Sequence, residues 1–290
     1  MLNNILKNYQ KIAKSLIFAL PSAIIVRIKN PQRKVNDKMA ETKIICHRGA
    51  NKYAPQNTMP AFRKATELGA QGFETDVHIT KDGQIVLCHN YTIDETSSGK
   101  GNISDMVLSQ LKSYDFGSYF SKKFQGTEIP TLDEFLDYVA ETDIDVLNIE
   151  IKSPKSKTAI VRKTLRAVKE HDLMDKLLIS SFDPKLLVEA KQIDKNCKTG
   201  FLYSPTKPIT ATMAWRPVEF ALSIGCDALH PQFIFVNENY IKKAHAAGIE
   251  VNPWTVDSPI VIDNLLRWGA DGIITNLPDV VSGMRKRYED

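Results

Sequence analysis

Short β-rich runs alternate with helical stretches through most of this chain. After residue 41 the alternation gives about eight units in about 245 residues. Strands that alternate with helices favour a parallel sheet, and this number of units predicts a closed (β/α)8 barrel, the TIM-barrel class of α/β fold. The candidate strands are residues 43–47, 72–79, 85–89, 146–151, 177–181, 199–203, 228–231, 249–255 and 272–275.

Helical stretches are predicted between most of these strands, for example at 60–68, 131–142, 157–170, 184–193, 237–247 and 260–268. An open, doubly wound sheet is the alternative arrangement. Such sheets commonly bind nucleotides through a GxGxxG or P-loop motif, and the sequence contains neither. The closed barrel is therefore the preferred prediction.

Residues 91–128 interrupt the alternation, being rich in Gly, Ser, Asp and aromatic residues. A connection this long inside a compact domain is usually functional or forms a small subdomain. We predict an insertion at the mouth of the barrel, after the third strand. The predicted organisation is an N-terminal extension over residues 1–40 and a barrel over residues 41–290.

The extension is basic, with eight Lys or Arg against Asp37 in residues 1–40, whereas the whole chain has a net charge of +4. Its apolar stretch, residues 15–26, is shorter than the roughly 20 residues that span a bilayer. Three interpretations stay open: a helical extension on the barrel, an interfacial anchor on anionic lipid through residues 1–34, or an export signal. Pro21 interrupts any helix here.

Composition narrows the partners and the compartment. The small net charge does not indicate nucleic acid as a partner. The four cysteines form no CxxC pair and lie in apolar, strand-like runs, which is typical of reduced, buried thiols rather than of disulfides or zinc ligands. We expect a cytoplasmic protein, with membrane association as the alternative. The oligomeric state is left open.

Acidic residues share faces of two predicted strands. Glu74 and Asp76 point the same way because side chains alternate along a strand. Two neighbouring buried carboxylates repel each other, and a hard divalent cation resolves this most simply. Glu150 and Lys152 share a face, by the same alternation, at the end of the predicted strand 146–151. Glu150 is a candidate third oxygen ligand, and Lys152 is a candidate phosphate contact. The alternative is a structural salt-bridge network, for instance of Glu150 with Lys152 or Arg48.

Two histidines follow predicted strands, where a barrel carries its catalytic residues. His47 follows the strand-like run 43–46, and His89 follows the run 85–88. Two imidazoles can divide the acid and base roles near neutral pH. Arg48 offers a fork of donors to a phosphate, and Gly49 gives room for close backbone approach.

Other candidates carry weaker signals. His78 is predicted to support the site from behind or to face solvent, and His230 to contact substrate. His171 and His245 lie in charged helical segments and are predicted at the surface. Trp254, near the end of a late strand, is predicted either to form a pocket wall or to belong to the core.

Six segments together resemble the glycerophosphodiester phosphodiesterase family: CHRGANKYAPQNTMPAF, GFETDVHITKDGQIVLCHN, IPTLDEFL, LNIEIK, VNPWTV and GADGIITNLP. They occur in the family's order over about residues 43–285. The resemblance implies a (β/α)8 barrel with a small insertion after the third strand. It also implies hydrolysis of glycerophosphodiesters to glycerol 3-phosphate and an alcohol, with one divalent cation, Mg²⁺ or Ca²⁺.

The resemblance also assigns roles by position in the motifs. These are metal ligation by Glu74, Asp76 and Glu150, acid/base catalysis by His47 and His89, and phosphate contact by Arg48 and Lys152. Water or the substrate's 2-hydroxyl is the nucleophile, and the alcohol head group is left open. Two alternative functions are hydrolysis of lysophospholipids at a membrane surface, and binding of phosphodiesters without turnover.

This sequence departs from the family pattern at two positions. Gln56 stands where the family usually has Glu, and Asn90 stands where it usually has Asp. Gln56 keeps its hydrogen-bonding capacity but loses the charge, so the orientation of Arg48 is in question. Neither departure changes a predicted ligand or histidine, and we expect an active enzyme.

Overall fold

Parallel strands form the wall of a barrel in the computed structural model, which describes residues 42–153, 159–204 and 216–288. In chain order the strands are β1 (Lys43–His47), β2 (Gly72–Ile79), β3 (Ile85–Leu87), β4 (Val146–Ile151), β5 (Leu177–Ser181), β6 (Lys198–Tyr203), β7 (Ala228–Pro231), β8 (Glu250–Val251) and β9 (Gly272–Thr275). Eight of these described strands lie side by side in the order β8-β7-β6-β5-β4-β2-β1-β9. The predicted (β/α)8 barrel is confirmed.

Backbone hydrogen bonds join the two ends of this order. The N–H of Asp271 donates to the carbonyl of Val251 (3.1 Å), and the N–H of Ile274 donates to the carbonyl of Pro253 (3.0 Å). Pro253 has no N–H, so one bond is missing from the ladder between β8 and β9. The regular strand is therefore shorter than the predicted 249–255, although the wall is nearly closed. The alternative of an open sheet is wrong.

Helices separate most of the strands. They are α1 (Met59–Glu67), α2 (Leu108–Lys112), α3 (Leu132–Ala140), α4 (Ile160–Glu170), α5 (Pro184–Ile193), α6 (Pro217–Ser223), α7 (Glu238–Ala246), α8 (Pro259–Trp268) and α9 (Pro278–Arg285). Two predicted starts fall one residue early because that residue caps the helix. The Thr131 hydroxyl accepts from the N–H of Glu134, and the Asn237 side chain accepts from the N–H of Tyr240.

The two faces of the barrel strands have different neighbours. In β4 the side chains of Leu147, Ile149 and Ile151 belong to the main apolar core, which also includes buried residues of the helices. Asn148 and Glu150 alternate with them and lie on the other face. In β4, aliphatic side chains therefore hold the strand against the helices, and the opposite face carries polar groups.

Strand β3 is not part of the barrel wall. It runs antiparallel to β2, with Val77 opposite Leu87. The sequence pattern predicts a barrel strand at 85–89, and this prediction is wrong because a short β-rich run does not reveal its direction. The insertion does follow this third strand. Its residues Ile93, Ile103, Leu111 and Phe116 form a second apolar core together with Val86, Cys88 and Ile129.

The predicted extension, residues 1–40, lies outside the described residues, as does the stretch 15–26. Among the described helices, none has both the length and the apolar character needed to cross a bilayer. Membrane contact through residues 1–34 and a cytoplasmic location stay predictions. All four cysteines are buried and unpaired, as predicted: Cys46, Cys88, Cys197 and Cys226.

Candidate active site

A pocket of about 630 Å³ is lined by strand ends and by the loops that follow them. Its walls bring together seven of the predicted site residues: His47, Arg48, Glu74, His89, Glu150, Lys152 and Trp254. The eighth, Asp76, is fully buried and contacts Arg48 and Lys152. Residues separated by up to about 200 positions in sequence thus share one site, as expected at the carboxyl end of a parallel barrel.

Three buried carboxylates form the acidic part of this site. One oxygen from each of Glu74, Asp76 and Glu150 lies within 4.8 Å of the others. Strand register explains the grouping, because Asp76 lies opposite Glu150 in the β2–β4 pair and Glu74 lies one alternation earlier. Asn57 fixes Asp76 by donating from Nδ2 to Asp76 Oδ2 (2.9 Å). This group, the acidic trio, is a buried cluster able to surround a cation.

Two basic side chains contact the acidic trio. Lys152 Nζ lies 2.7 Å from Asp76 Oδ1 and 2.6 Å from Glu150 Oε1, and Arg48 Nε lies 3.2 Å from Asp76 Oδ2. The salt-bridge network proposed as the structural alternative is therefore present in part. It does not balance the cluster, because three carboxylates face two cations and Glu74 forms no ion pair among the described residues.

The pKa values of the acids show the same imbalance. Burial, with Asp76 beside it, raises the pKa of Glu74 well above its usual range. Burial also raises the pKa of Glu150 to about 7, although Lys152 opposes the shift. Asp76 differs, since Lys152 and Arg48 outweigh burial and hold its pKa well below the usual range. Two of the three acids are thus costly to ionise without a further positive charge.

Asn148 offers a further oxygen atom at the wall of the pocket. It is buried, it lines the pocket, and its Oδ1 has no hydrogen-bond partner among the described residues, whereas its Nδ2 donates to Ser180 Oγ (3.2 Å). A buried acceptor without a partner is costly. Carboxylate and amide oxygens are ligands that Mg²⁺ and Ca²⁺ accept. The residues present therefore fit a hard divalent cation.

The backbone at Arg48 is held in an unusual conformation. Arg48 has φ +56° and Gly49 has φ +76°, both in the left-handed region that favours glycine. A Cβ at residue 49 would lie 2.7 Å from the carbonyl carbon of Ala61, so the predicted close approach at Gly49 is confirmed. The N–H of Arg48 donates to the carbonyl of Glu74 (2.9 Å). These constraints fix the backbone of Arg48 next to Glu74, so that its side chain begins beside the acidic trio.

His47 is paired with an asparagine from the far end of the chain. Its Nδ1 lies 2.7 Å from Asn276 Oδ1, and Asn276 follows β9. Burial, followed by the positive charge of Arg48, lowers the pKa of His47 to about 3. The imidazole is therefore neutral near pH 7.

His89 reaches the pocket by a different route from the one predicted. Because β3 runs back along β2, the residues after it return to the mouth of the barrel, where the N–H of Cys88 donates to the carbonyl of Asp76 (3.0 Å). His89 Nδ1 lies 2.7 Å from Asn90 Oδ1. Burial lowers the pKa of His89 to about 4, despite the nearby Asp76.

The remaining candidates separate clearly. Trp254 lines the pocket, its Nε1 donates to the carbonyl of His230 (2.7 Å), and its ring meets Phe182 edge to face. His230 itself is fully buried and is not among the lining residues, so its predicted substrate contact is wrong. His78 lies behind the site, 3.3 Å from the carbonyl of His89.

Sequence patterns gave no role to several residues around the pocket. Asn276 supports His47, Asp257 accepts from Asn276, and Asn148 and Phe182 line the walls. Asn276 and Phe182 each directly follow a barrel strand, and His47 is the last residue of one. That position was the available signal, because residues at these ends face the catalytic mouth of a barrel.

Comparison with known proteins identifies the family of this chain. The family model described as Glycerophosphoryl diester phosphodiesterase family matches residues 47–280. The chain belongs to this family. Family membership confirms the resemblance seen in the sequence and the predicted enzyme class. The matched residues include the predicted ligands, both histidines and Asn276.

Individual relatives agree with this assignment. The chain is 35% identical over 248 residues to a glycerophosphodiester phosphodiesterase of Caldanaerobacter subterraneus, covering 85% of this chain and 99% of the relative. It matches a solved Oleispira antarctica phosphodiesterase, in complex with the product sn-glycerol-3-phosphate, with a TM-score of 0.74 and 27% identity over 83% and 96% of the two chains. A Silicibacter pomeroyi structure, at 24% identity and TM-score 0.78 over 88% and 98%, shows the shared fold.

Proposed function

We propose that this protein hydrolyses glycerophosphodiesters to glycerol 3-phosphate and an alcohol, and that the reaction depends on one divalent cation. The observation that carries the proposal is the acidic trio within 4.8 Å, in a pocket that also presents His47, His89, Arg48 and Lys152. The Oleispira antarctica relative binds sn-glycerol-3-phosphate as its product, which supports the same substrate class here.

The cation would be held by Glu74, Asp76 and Glu150, and all-oxygen ligands favour Mg²⁺ or Ca²⁺. When bound, it supplies positive charge that polarises a phosphoryl oxygen and stabilises charge in the transition state. The proposal names both ions and does not choose between them. Asn148 Oδ1 supports the assignment, because an unpartnered oxygen beside the trio suits a cation site.

Arg48 and Lys152 are proposed to bind the non-bridging phosphate oxygens. Arg48 offers several N–H donors in a fixed fork, and Lys152 offers a compact positive charge. Gln56 Oε1 accepts from Arg48 Nη1 (2.6 Å) and so takes part in orienting the fork. Trp254 forms an apolar wall for the carbon-bearing part of the substrate.

The two histidines are proposed to move the protons. One imidazole takes a proton from the nucleophile, either water or the 2-hydroxyl of the glycerol, as the new P–O bond forms. The other donates a proton to the leaving alcohol oxygen as its P–O bond breaks. Both rings are neutral in the free protein, so the acid takes up its proton when the anionic phosphodiester raises its pKa.

Lysophospholipid hydrolysis is the second candidate function. Apolar side chains, including Phe182, Leu202 and Ile274, line part of the pocket and would suit an acyl-bearing substrate. The two substrates differ in a way that assay can resolve, because lysophosphatidylcholine carries an acyl chain where glycerophosphocholine has a free hydroxyl. A faster rate on lysophosphatidylcholine would favour this second function.

The test compares hydrolysis of glycerophosphocholine and lysophosphatidylcholine by the wild type, with Mg²⁺ or Ca²⁺ and with EDTA. His47→Ala is the disabled variant, and Asn239→Ala, on the exposed part of α7, is the matched control. We expect glycerol 3-phosphate from glycerophosphocholine in the wild type and control. A wild type with its cation that is no faster than His47→Ala would instead leave a phosphodiester-binding barrel without turnover.

A further inference from the structure

Each histidine of the pocket meets an asparagine that in turn meets a carboxylate. Asn276 Oδ1 lies 2.7 Å from His47 Nδ1, and Asn276 Nδ2 donates to Asp257 Oδ2 (2.6 Å). Asp257 is fixed in place, because its Oδ1 accepts from the backbone N–H of Asn276 (2.9 Å). His47, Asn276 and Asp257 thus form a chain of three side chains.

This row of three side chains determines which end of the Asn276 amide faces the histidine. A carboxylate only accepts hydrogen bonds, so the amide NH₂ must face Asp257. The opposite orientation would place two oxygens 2.6 Å apart, which is repulsive. The amide oxygen therefore faces His47 Nδ1, and because that oxygen only accepts, Nδ1 carries the hydrogen.

The second histidine repeats the arrangement with different residues. Asn90 Oδ1 lies 2.7 Å from His89 Nδ1, and Asn90 Nδ2 donates to Glu95 Oε2 (2.8 Å). The same logic puts the NH₂ group towards Glu95 and the hydrogen on His89 Nδ1. The two sets of three side chains come from different parts of the sequence, so their likeness does not follow from one local motif.

We propose that Asn276 and Asn90 are positioning residues that hold both histidines in the Nδ1–H tautomer, leaving Nε2 of each ring for proton transfer. Their role in turnover rests on the proposed function, whereas the tautomers themselves do not. A neutral amide performs here the orienting task that a carboxylate performs in a Ser-His-Asp triad. At residue 90 this explains how the chain tolerates Asn where its family usually has Asp.

Asn51 provides the competing interaction. Its Nδ2 lies 3.3 Å from His47 Nδ1, and a donor at that position would favour a bare Nδ1 and a hydrogen on Nε2. The same Nδ2 donates to the carbonyl of His47 at the shorter distance of 2.9 Å. The shorter contact with Asn276 therefore decides the tautomer, and the two asparagines can be compared directly.

Nitrogen-15 NMR of the full chain, labelled at histidine, distinguishes a ring N–H from a bare ring nitrogen. Spectra are recorded at neutral pH without substrate, with and without Mg²⁺, so the readout does not depend on turnover. The variants are Asn276→Ala, Asn90→Ala, Asn51→Ala and the double variant Asn276→Asp/Asp257→Asn. The double variant keeps an acceptor oxygen beside His47 Nδ1 and an amide NH₂ group between positions 276 and 257, so it serves as the conservative rescue if Asn276→Ala does not fold.

We expect the wild type, the double variant Asn276→Asp/Asp257→Asn and Asn51→Ala to show N–H at Nδ1 of His47. Asn276→Ala and Asn90→Ala are expected to lose that preference at His47 and His89 respectively, with kcat reduced on the order of 100-fold and KM changed much less. A hydrogen on Nε2 of either ring in the wild type would overturn the proposal. So would an unchanged tautomer in both alanine variants. Correct tautomers in a protein that hydrolyses no phosphodiester would overturn only the proposed function.

Discussion

Arg48 Nη1 lies 2.6 Å from Gln56 Oε1, so a neutral amide anchors the guanidinium at the position where the family resemblance leads us to expect an acid. Gln56 is held in turn, because its backbone N–H donates to the hydroxyl of Tyr119 (3.1 Å). Arg48 also contacts Asp76, and its charge therefore has a carboxylate partner without residue 56. The Arg48 guanidinium therefore stays oriented although residue 56 is not an acid.

Gln56→Ala is expected to raise KM for glycerophosphocholine about 10- to 100-fold. A hydrogen bond to a charged group contributes about 1.5–3 kcal/mol, and its loss frees one side of the Arg48 fork. Gln56→Glu keeps an acceptor and should remain within about threefold of the wild type. Steady-state kinetics test both, with Asn239→Ala, at an exposed position of α7, as the control. Unchanged kinetics in Gln56→Ala would show that this contact does not orient Arg48.

Glu74→Gln is expected to weaken cation binding at least about tenfold while stabilising the metal-free protein. The folded state raises the pKa of Glu74, so near pH 7 its charge opposes folding, and the uncharged amide removes that cost. Calorimetric titration with Mg²⁺ or Ca²⁺ and urea unfolding in EDTA measure the two effects. Glu141→Gln, at an exposed position, is the control. Weaker binding together with lower metal-free stability would contradict this account of the acidic trio.

Lys152→Met is expected to have the opposite effect on the cation. The ammonium lies 2.7 Å from Asp76 Oδ1, and removing this like charge should raise cation affinity at pH 8, where the acids ionise more readily. The metal-free protein should lose about 3–5 kcal/mol, because two buried carboxylates lose their partner. Turnover should fall, since the phosphate loses a contact. Weaker cation binding by Lys152→Met would mean that the lysine helps to build the site rather than competing with the ion.

His230 makes stability sensitive to acid without belonging to the pocket. Burial lowers its pKa to about 3, against 6.5 in the absence of burial. As pH falls below about 6.5, the unfolded chain binds a proton that the folded protein refuses, so stability falls by up to about 1.4 kcal/mol per pH unit for this group. His230→Gln should flatten part of this slope in urea unfolding between pH 7.5 and 5.

Thr164→Val is the matched control for that measurement. Thr164 is equally buried and its hydroxyl has no partner among the described residues, but it does not titrate. We expect a change in stability that is the same at each pH. A slope in His230→Gln identical to that of the wild type would assign the acid sensitivity to other histidines.

Much of the site was predictable because alternation along a strand is a local property. Glu74 and Asp76 share a face through the period of two, and Glu150 shares one with Lys152 in the same way. The structure brings these residues together beside His47, as expected, while their roles remain proposals. Aliphatic residues on the opposite faces explain why the barrel itself was also predictable.

Direction and distant pairing were not predictable in this way. The β-rich run that ends at Leu87 has the composition of a barrel strand, and only its pairing with Val77 shows that it turns back. Asn276 lies 229 positions from His47, and no local pattern connects them. Pairings of this kind depend on closure of the barrel, which brings β9 beside β1.

The most direct test follows glycerol 3-phosphate release from glycerophosphocholine while Mg²⁺ or Ca²⁺ is titrated into EDTA-stripped protein. Phosphorus NMR identifies the product, and calorimetry gives the occupancy of the cation under the same conditions. We predict no turnover in the stripped protein and a rate that rises in proportion to occupancy, whereas His47→Ala binds the cation and remains slow. Turnover by the stripped protein at the full rate, or a fully occupied wild type as slow as His47→Ala, would contradict the proposed function.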